Sequence, residues 1–349
     1  VTYDCTAGTI TGGPWVPLVA CHTITDTFNF GSGTSGFTYT APTGFLPLNQ
    51  DNMAANTAGI TGLSWIKNRD ATADHILQDR VRGVYEYIIS NDTDVEETNA
   101  NSVQKFLQQG VQVGNMATVN TSANSFVLWN WVGNGTGTLN EDGNLNSTVS
   151  ANTDAAFSII NYTGSGSSTT IGHGMGKKPE FMIFKNRGTT NGWIVWHKNL
   201  SGITYYLSLD GTDAESNASG AAVWDSTEPT SSVISIGTDA TTNASTNTYV
   251  CYCWASVPGS SHFYHYDGNG QSGDLAPYLY LGFKPSFFMH KRIDSTDDWR
   301  IVDNQRDRYN PVQQRLAPNS DAGESTYADM TWDFTSNGVK LRGDDTGYN

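Results

Sequence analysis

Apolar residues occur along this chain in short runs, each closed off by Gly, Asn, Asp, Ser or Thr. Phe181-Met-Ile-Phe184, Trp193-Ile-Val-Trp196, Tyr205-Tyr-Leu-Ser-Leu209, Val233-Ile-Ser-Ile236 and Tyr249-Val-Cys-Tyr-Cys-Trp254 are rich in aromatic and β-branched side chains. Such residues pack well on a pleated surface, and the intervening residues are turn formers. Helical periodicity is scarce; Asp74–Arg82 and Val95–Phe106 are the two places where a helical turn or two is expected. The pattern predicts an all-β protein of tandem β-sandwich or jelly-roll-like modules, with about eight strands per hundred residues.

The runs repeat. Gly176-Lys-Lys-Pro179-Glu-Phe181-Met-Ile-Phe-Lys185 matches Gly282-Phe-Lys-Pro285-Ser-Phe287-Phe-Met-His-Lys291 at an offset of 285 − 179 = 106. Trp193 and Trp299 keep the same offset. A third copy starts at Leu63-Ser-Trp65-Ile66-Lys67-Asn68-Arg69, where His75 stands six residues after Arg69 as Trp193 stands six after Arg187. Later in each copy, Phe106-Leu-Gln-Gln-Gly110-Val111 resembles Phe334-Thr-Ser-Asn-Gly338-Val339, a strand, turn and strand. Phe126-Val-Leu-Trp129-Asn-Trp131 matches Tyr249-Val-Cys-Tyr-Cys-Trp254 as a closing strand.

Gly114, Gly237 and Gly343 each precede an Asn by six residues, namely Asn120, Asn243 and Asn349. The first two lead into closing strands, so a third closing strand is expected after Asn349 or from another segment, because its loss would expose a sheet edge. The modules are accordingly read as 51–135, 136–257 and 258–349, the last lacking its final strand, with a separate N-terminal piece over 1–50.

Composition narrows the function classes. Hydrophobic residues are 37% and charged residues only 15% of 349, against a usual quarter charged, so uncharged Asn, Thr, Ser and Gly carry the polarity. This suits exposed fibres and adhesins. The formal net charge of −15, with no basic run, argues against nucleic-acid binding. Apolar runs are too short for a spanning helix, so no membrane insertion is expected. Val1 is not an initiator Met and the first 20 residues lack a signal-peptide pattern, so a chain processed at its start is expected. Cys5 and Cys21 are able to pair in an oxidising compartment, whereas Cys251 and Cys253 point to one face of a strand and read as small core residues. No His or Cys cluster has metal spacing and no cofactor is expected.

One family resemblance stands on specific residues. Phe28-Asn29-Phe30-Gly31, then Phe37-Thr-Tyr39-Thr-Ala-Pro42-Thr-Gly44-Phe45, resemble the closing strands of a SPRY-type (concanavalin-like) sandwich. Together with the Trp-Ile-Lys-Asn-Arg repeats, they resemble tail-fibre-like and other structural proteins encoded by marine bacteriophages. The resemblance implies a virion-surface or extracellular protein and a homotrimer, with other virion proteins as partners and no catalytic residues to carry over.

Trp65, Trp193, Trp299, Trp131 and Trp254 recur at equivalent places, which favours a packing role over sugar stacking. Lys67, Lys185 and Lys291 recur as well and read as structural ion pairs or snorkelling stems. Aromatics that do not recur are the ligand-binding candidates: Trp196, His197, Tyr205 and Tyr206, and His262, Tyr264, His265 and Tyr266, although the last group also reads as a strand with one wet face. Asp294, Asp297, Asp298 and Glu324 would serve a glycosidase only if two of them faced each other across a sugar. The sequence therefore predicts a non-enzymatic fibre or appendage protein recognising a host-surface glycan. A purely structural virion component is the alternative, and a polysaccharide depolymerase the third reading.

Overall fold

The computed structural model describes residues 61–349 apart from 108 and 109. These described residues belong to one compact unit. The SPRY-like reading of 1–50 and the Cys5–Cys21 pairing lie outside the described residues.

The described chain is built almost wholly of antiparallel strands, with two short helices at Gly220–Trp224 and Ala240–Asn243. In the first module a five-stranded sheet runs in the order Glu97–Thr98, Glu86–Ile89, Ile76–Asp79, Thr61–Asn68, Phe126–Val132. The second module has a seven-stranded sheet, in the order Leu207–Ser208, Ile194–His197, Phe181–Asn186, Thr248–Trp254, Phe157–Thr163, Ser147–Asn152, Thr138–Asn140. Both share one arrangement. An opening strand (Thr61–Asn68, Phe181–Asn186) lies between a second strand (Ile76–Asp79, Ile194–His197) and a closing strand (Phe126–Val132, Thr248–Trp254).

The third module keeps the opening strand, Phe287–His290, and the second, Arg300–Asp303, but they form a two-stranded sheet of their own, with one further bridge from Ile301 to Leu316. A separate sheet orders Tyr278–Tyr280, Gly338–Leu341 and Trp332–Thr335. The two hairpins read from sequence are present, with Phe106 opposite Val111 and Phe334 opposite Val339.

Neither expected helical segment is helical. Ile76–Asp79 is a fully buried strand, and Val95–Phe106 supplies parts of two strands, Glu97–Thr98 and Val103–Leu107. The apolar pair Ile76–Leu77 is covered on both faces because this strand is internal to its sheet, and tertiary pairing overrides a weak helical pattern. Cys251 and Cys253 are free, fully buried thiols in the second closing strand.

The modules join in a closed cycle. Glu96 of the first donates its backbone N–H to the carbonyl of Arg187 in the second, Glu215 of the second to Ile293 in the third, and Glu324 of the third to Arg69 in the first. A second set repeats the cycle in the other direction: Asn191 N–H to Thr93 O, Asp297 N–H to Thr212 O, and Ala73 N–H to Asp321 O. Inside each module the His75, Trp193 and Trp299 backbone N–H groups are accepted by Asn91, Asp210 and Asn319 side chains at 2.8, 2.9 and 2.9 Å. Equivalent bonds at all three positions give the unit internal threefold pseudosymmetry. The recurrent tryptophans serve this packing: the Trp193 indole donates to Ile89 O at 2.8 Å, and that of Trp299 to Ser208 O at 2.8 Å, each in the neighbouring module.

The recurrent lysines depart from expectation. Lys67 and Lys185 are 0% exposed, and their ammonium groups point inward to backbone carbonyls rather than to carboxylates. Lys67 Nζ donates to Asn68 O at 2.8 Å and Asp321 O at 3.1 Å, and Lys185 Nζ to Thr93 O at 2.8 Å. The head group of Lys291, half-buried, donates to Arg292 O. Burial draws all three down to about 8. Two of these lysines thus stitch one module to the next, since a buried carbonyl needs a donor and the ammonium supplies three.

Candidate functional site: a groove beside the third module

A groove of about 1400 Å³ opens along the Phe287–His290 strand. Trp131 and Trp254 stand at its floor, their rings 6.0 Å apart and edge to face, with Phe287 5.7 Å from Trp131. This exceeds the volume range of small-molecule pockets, roughly 300–1,000 Å³, and its shape follows a strand edge.

Five of the eight candidate binding residues line it: His197, His262, Tyr264, His265 and Tyr266. His262, Tyr264 and His265 are exposed, Tyr264 at 49% of its surface, while Phe263 and Tyr266 turn inward. Inward turns at 263 and 266, three residues apart, do not follow the period-two pattern of a strand with one wet face, and no strand is paired there. The His262 and Tyr264 rings meet edge to face at 5.5 Å, and His265 Nε2 lies 3.6 Å from Asp267. Burial, with Lys198 adding to it, draws His197 down to about 4, and its Nδ1 accepts the Asn199 N–H at 3.1 Å.

The other three candidates lie elsewhere. Trp196 is a correction: only 3% exposed, it sits in an inner strand covered on both faces and is core, unable to meet a ligand at the surface. Tyr205 and Tyr206 are half-buried outside the groove; the Tyr205 carbonyl accepts from the Trp224 indole at 3.2 Å and the Tyr206 backbone pairs with Ser216.

The four carboxylates considered for hydrolysis are each held by a neighbour. Asp297 pairs with Arg300 at 2.6 Å, Asp294 with Arg292 at 2.7 Å, Asp298 accepts from Asn319 at 2.8 Å, and Glu324 binds Arg69 at 2.7 Å and Arg306 at 2.8 Å. These are structural pairings.

Sequence reasoning missed a second set. In the first module buried Arg82 grips Asp79 of its own strand turn and Glu96 at 2.9 Å, and Glu96 in turn takes Arg187 of the second module at 2.9 and 2.6 Å. Arg306, Asp303, Glu324 and Arg69 repeat this at the junction of the third module with the first. Burial opposes the charge on Glu96, but Arg187 and Arg82 outweigh it and hold the carboxyl below its usual range. Closing-strand aromatics complete the set across modules: Tyr252 OH donates to Asp79 at 2.8 Å, and Trp129 Nε1 to Asp303 at 3.1 Å. The signal was present in sequence as Asp-x-x-Arg at 79–82 and 303–306.

A family model described as Domain of unknown function (DUF7483) matches residues 49–349. The chain belongs to the DUF7483 family. Its matched span takes in all three modules, so the cyclic unit and its groove lie within the DUF7483 region. Comparison of this DUF7483 chain with curated proteins and with solved structures finds no match.

Proposed function

We propose that the chain is a non-enzymatic structural component of a virion-surface or extracellular assembly, a fibre, appendage or decoration protein in which the three modules act as one rigid block. The observation that carries this reading is the cyclic closure: every module is bonded to both others through backbone groups and buried side chains. A block of that kind transmits load and position, whereas a catalytic site needs converging, unpaired titratable groups. The likeness of the Trp-Ile-Lys-Asn-Arg repeats to marine bacteriophage structural proteins points the same way, as does the polar, weakly charged composition. Association as a homotrimer and contact with other virion proteins belong to the same proposal.

Cryo-electron microscopy of the native particle tests it. Copies tiled along a shell, tail or filament support the structural role. An isolated distal copy with every face in solvent sinks it. A second reading, recognition of a host-surface glycan, is favoured by the exposed His262–Tyr264 pair at the groove rim. Glycan-array binding that Tyr264→Ala abolishes would establish it in place of the first.

A further inference from the structure

The groove has the outline of a missing piece of the cycle. In the first two modules an Asn side chain anchors the chain just before its closing strand. Asn120 Nδ2 donates to Gly114 O at 2.8 Å, and Asn243 Nδ2 to Gly237 O at 2.6 Å. Asn349 Nδ2 donates to Gly343 O at 2.8 Å in the same way. The match extends further. Asn243 Oδ1 accepts the Ser165 N–H at 2.7 Å and Asn349 Oδ1 the Asn269 N–H at 3.0 Å, while Tyr162 OH donates to Thr242 O as Tyr266 OH does to Tyr348 O. The third module therefore carries the same Asn anchor that precedes the closing strand in the other two.

Three further observations define what belongs in the groove. Phe287–His290 pairs on one edge only, whereas its counterparts pair on both. His262–Tyr266, the counterpart of the strand Phe157–Thr163 that flanks the second closing strand, is unpaired on the groove's other side. Tryptophans from two closing strands, each eleven residues after its anchoring Asn (131 − 120 and 254 − 243), meet where three would complete the pseudosymmetry. Nine residues after the anchor, Trp129 and Tyr252 each donate to an Asp of the preceding module in the cycle. His197 holds the corresponding position in the second module (79 + 118 = 197; 197 + 106 = 303) and faces the groove.

We propose that the groove seats an added extended segment with the side-chain pattern of the first two closing strands, which runs antiparallel to Phe287–His290, places an aromatic residue against His197 and, two residues further on, an apolar side chain beside Trp131 and Trp254. This goes beyond the structural reading above and does not depend on it.

One measurement decides it. The 349-residue chain should bind a synthetic peptide copying Thr121–Val132 at one to one, with loss of amide exchange in Phe287–His290 and a blue shift of tryptophan emission. A scrambled peptide should do neither. Failure of the matched peptide to protect that strand overturns the seat. Concentration-dependent dimerisation that protects the strand without peptide overturns the assigned occupant in favour of a second copy.

Discussion

The junctions on either side of the second module are built from different chemistry. Where the first module meets the second, Glu96 lies between Arg82 and Arg187; where the third meets the first, Glu324 lies between Arg306 and Arg69. Between the second and third, Leu200 stands where Arg82 and Arg306 stand, Ile293 replaces Arg187 and Arg69, and Glu215 accepts from the Ser201 N–H at 2.9 Å and from its hydroxyl. The backbone bond is kept at all three. The fold thus needs the main-chain contact, while the side chains around it are exchangeable between a charged and an apolar solution. Removing one partner of a buried ion pair leaves a stranded charge and costs more than trimming an apolar contact. The two kinds of junction should consequently fail under different conditions.

The largest effect is expected from Arg82→Met, which takes the guanidinium away from buried Asp79 and leaves Glu96 with Arg187 alone; a loss of about 3–5 kcal/mol is predicted, read as a lower urea midpoint. Leu200→Ala at the apolar junction should cost about 2 kcal/mol through cavity formation. Equal losses for the two variants would erase the distinction between the junctions.

Acid should act on the charged junctions. Burial opposes ionisation of Glu96 and Asp303, but Arg187 and Arg82, and for Asp303 chiefly Arg306, hold both carboxyls below their usual range. Their contribution is present above the unfolded carboxyl value, about 4, and is lost as pH falls through the lower folded values. The urea midpoint should drop over that interval, and Glu96→Gln should flatten the drop while Leu200→Ala leaves it in place.

Base should act oppositely on the recurrent lysines. Lys67, Lys185 and Lys291 at about 8 bind fewer protons folded than unfolded between about 8 and the unfolded value near 10.4. Stability should rise with pH across that window. A midpoint that stays flat from pH 8 to 9.5 would contradict this, and Lys185→Met should shallow the rise. Ser201→Ala, which removes one partly solvated bond to Glu215, should change stability by less than about 1 kcal/mol by the same assay.

Much of this architecture was legible in sequence because the strands of each module keep fixed offsets. Lys185 and Lys291, Trp193 and Trp299, and the hairpins around Gly110 and Gly338 all sit where the spacing places them. The contacts between modules were not legible. Arg69 to Arg187 is 118 residues and Arg187 to Ile293 is 106, yet the residues that donate to their carbonyls across modules, Glu96, Glu215 and Glu324, are spaced by 119 and 109. Loops of unequal length break the register in the segments that cross from module to module. The candidate site was read in part. The run of aromatics at 262–266 does reach the groove, but Trp196 lies in a strand buried on both faces, where alternation carries no information.

Closure of the cycle also governs how the molecule comes apart. In an open array of repeats an end unit detaches by breaking one interface, so such proteins fray from their termini. Three units joined head to tail in a circle have as many interfaces as members and no outermost member. Releasing any one severs two contacts at once, which couples the whole described unit into a single all-or-none transition. The acid-sensitive and apolar interfaces then share one fate: whichever yields first opens the circle for both others.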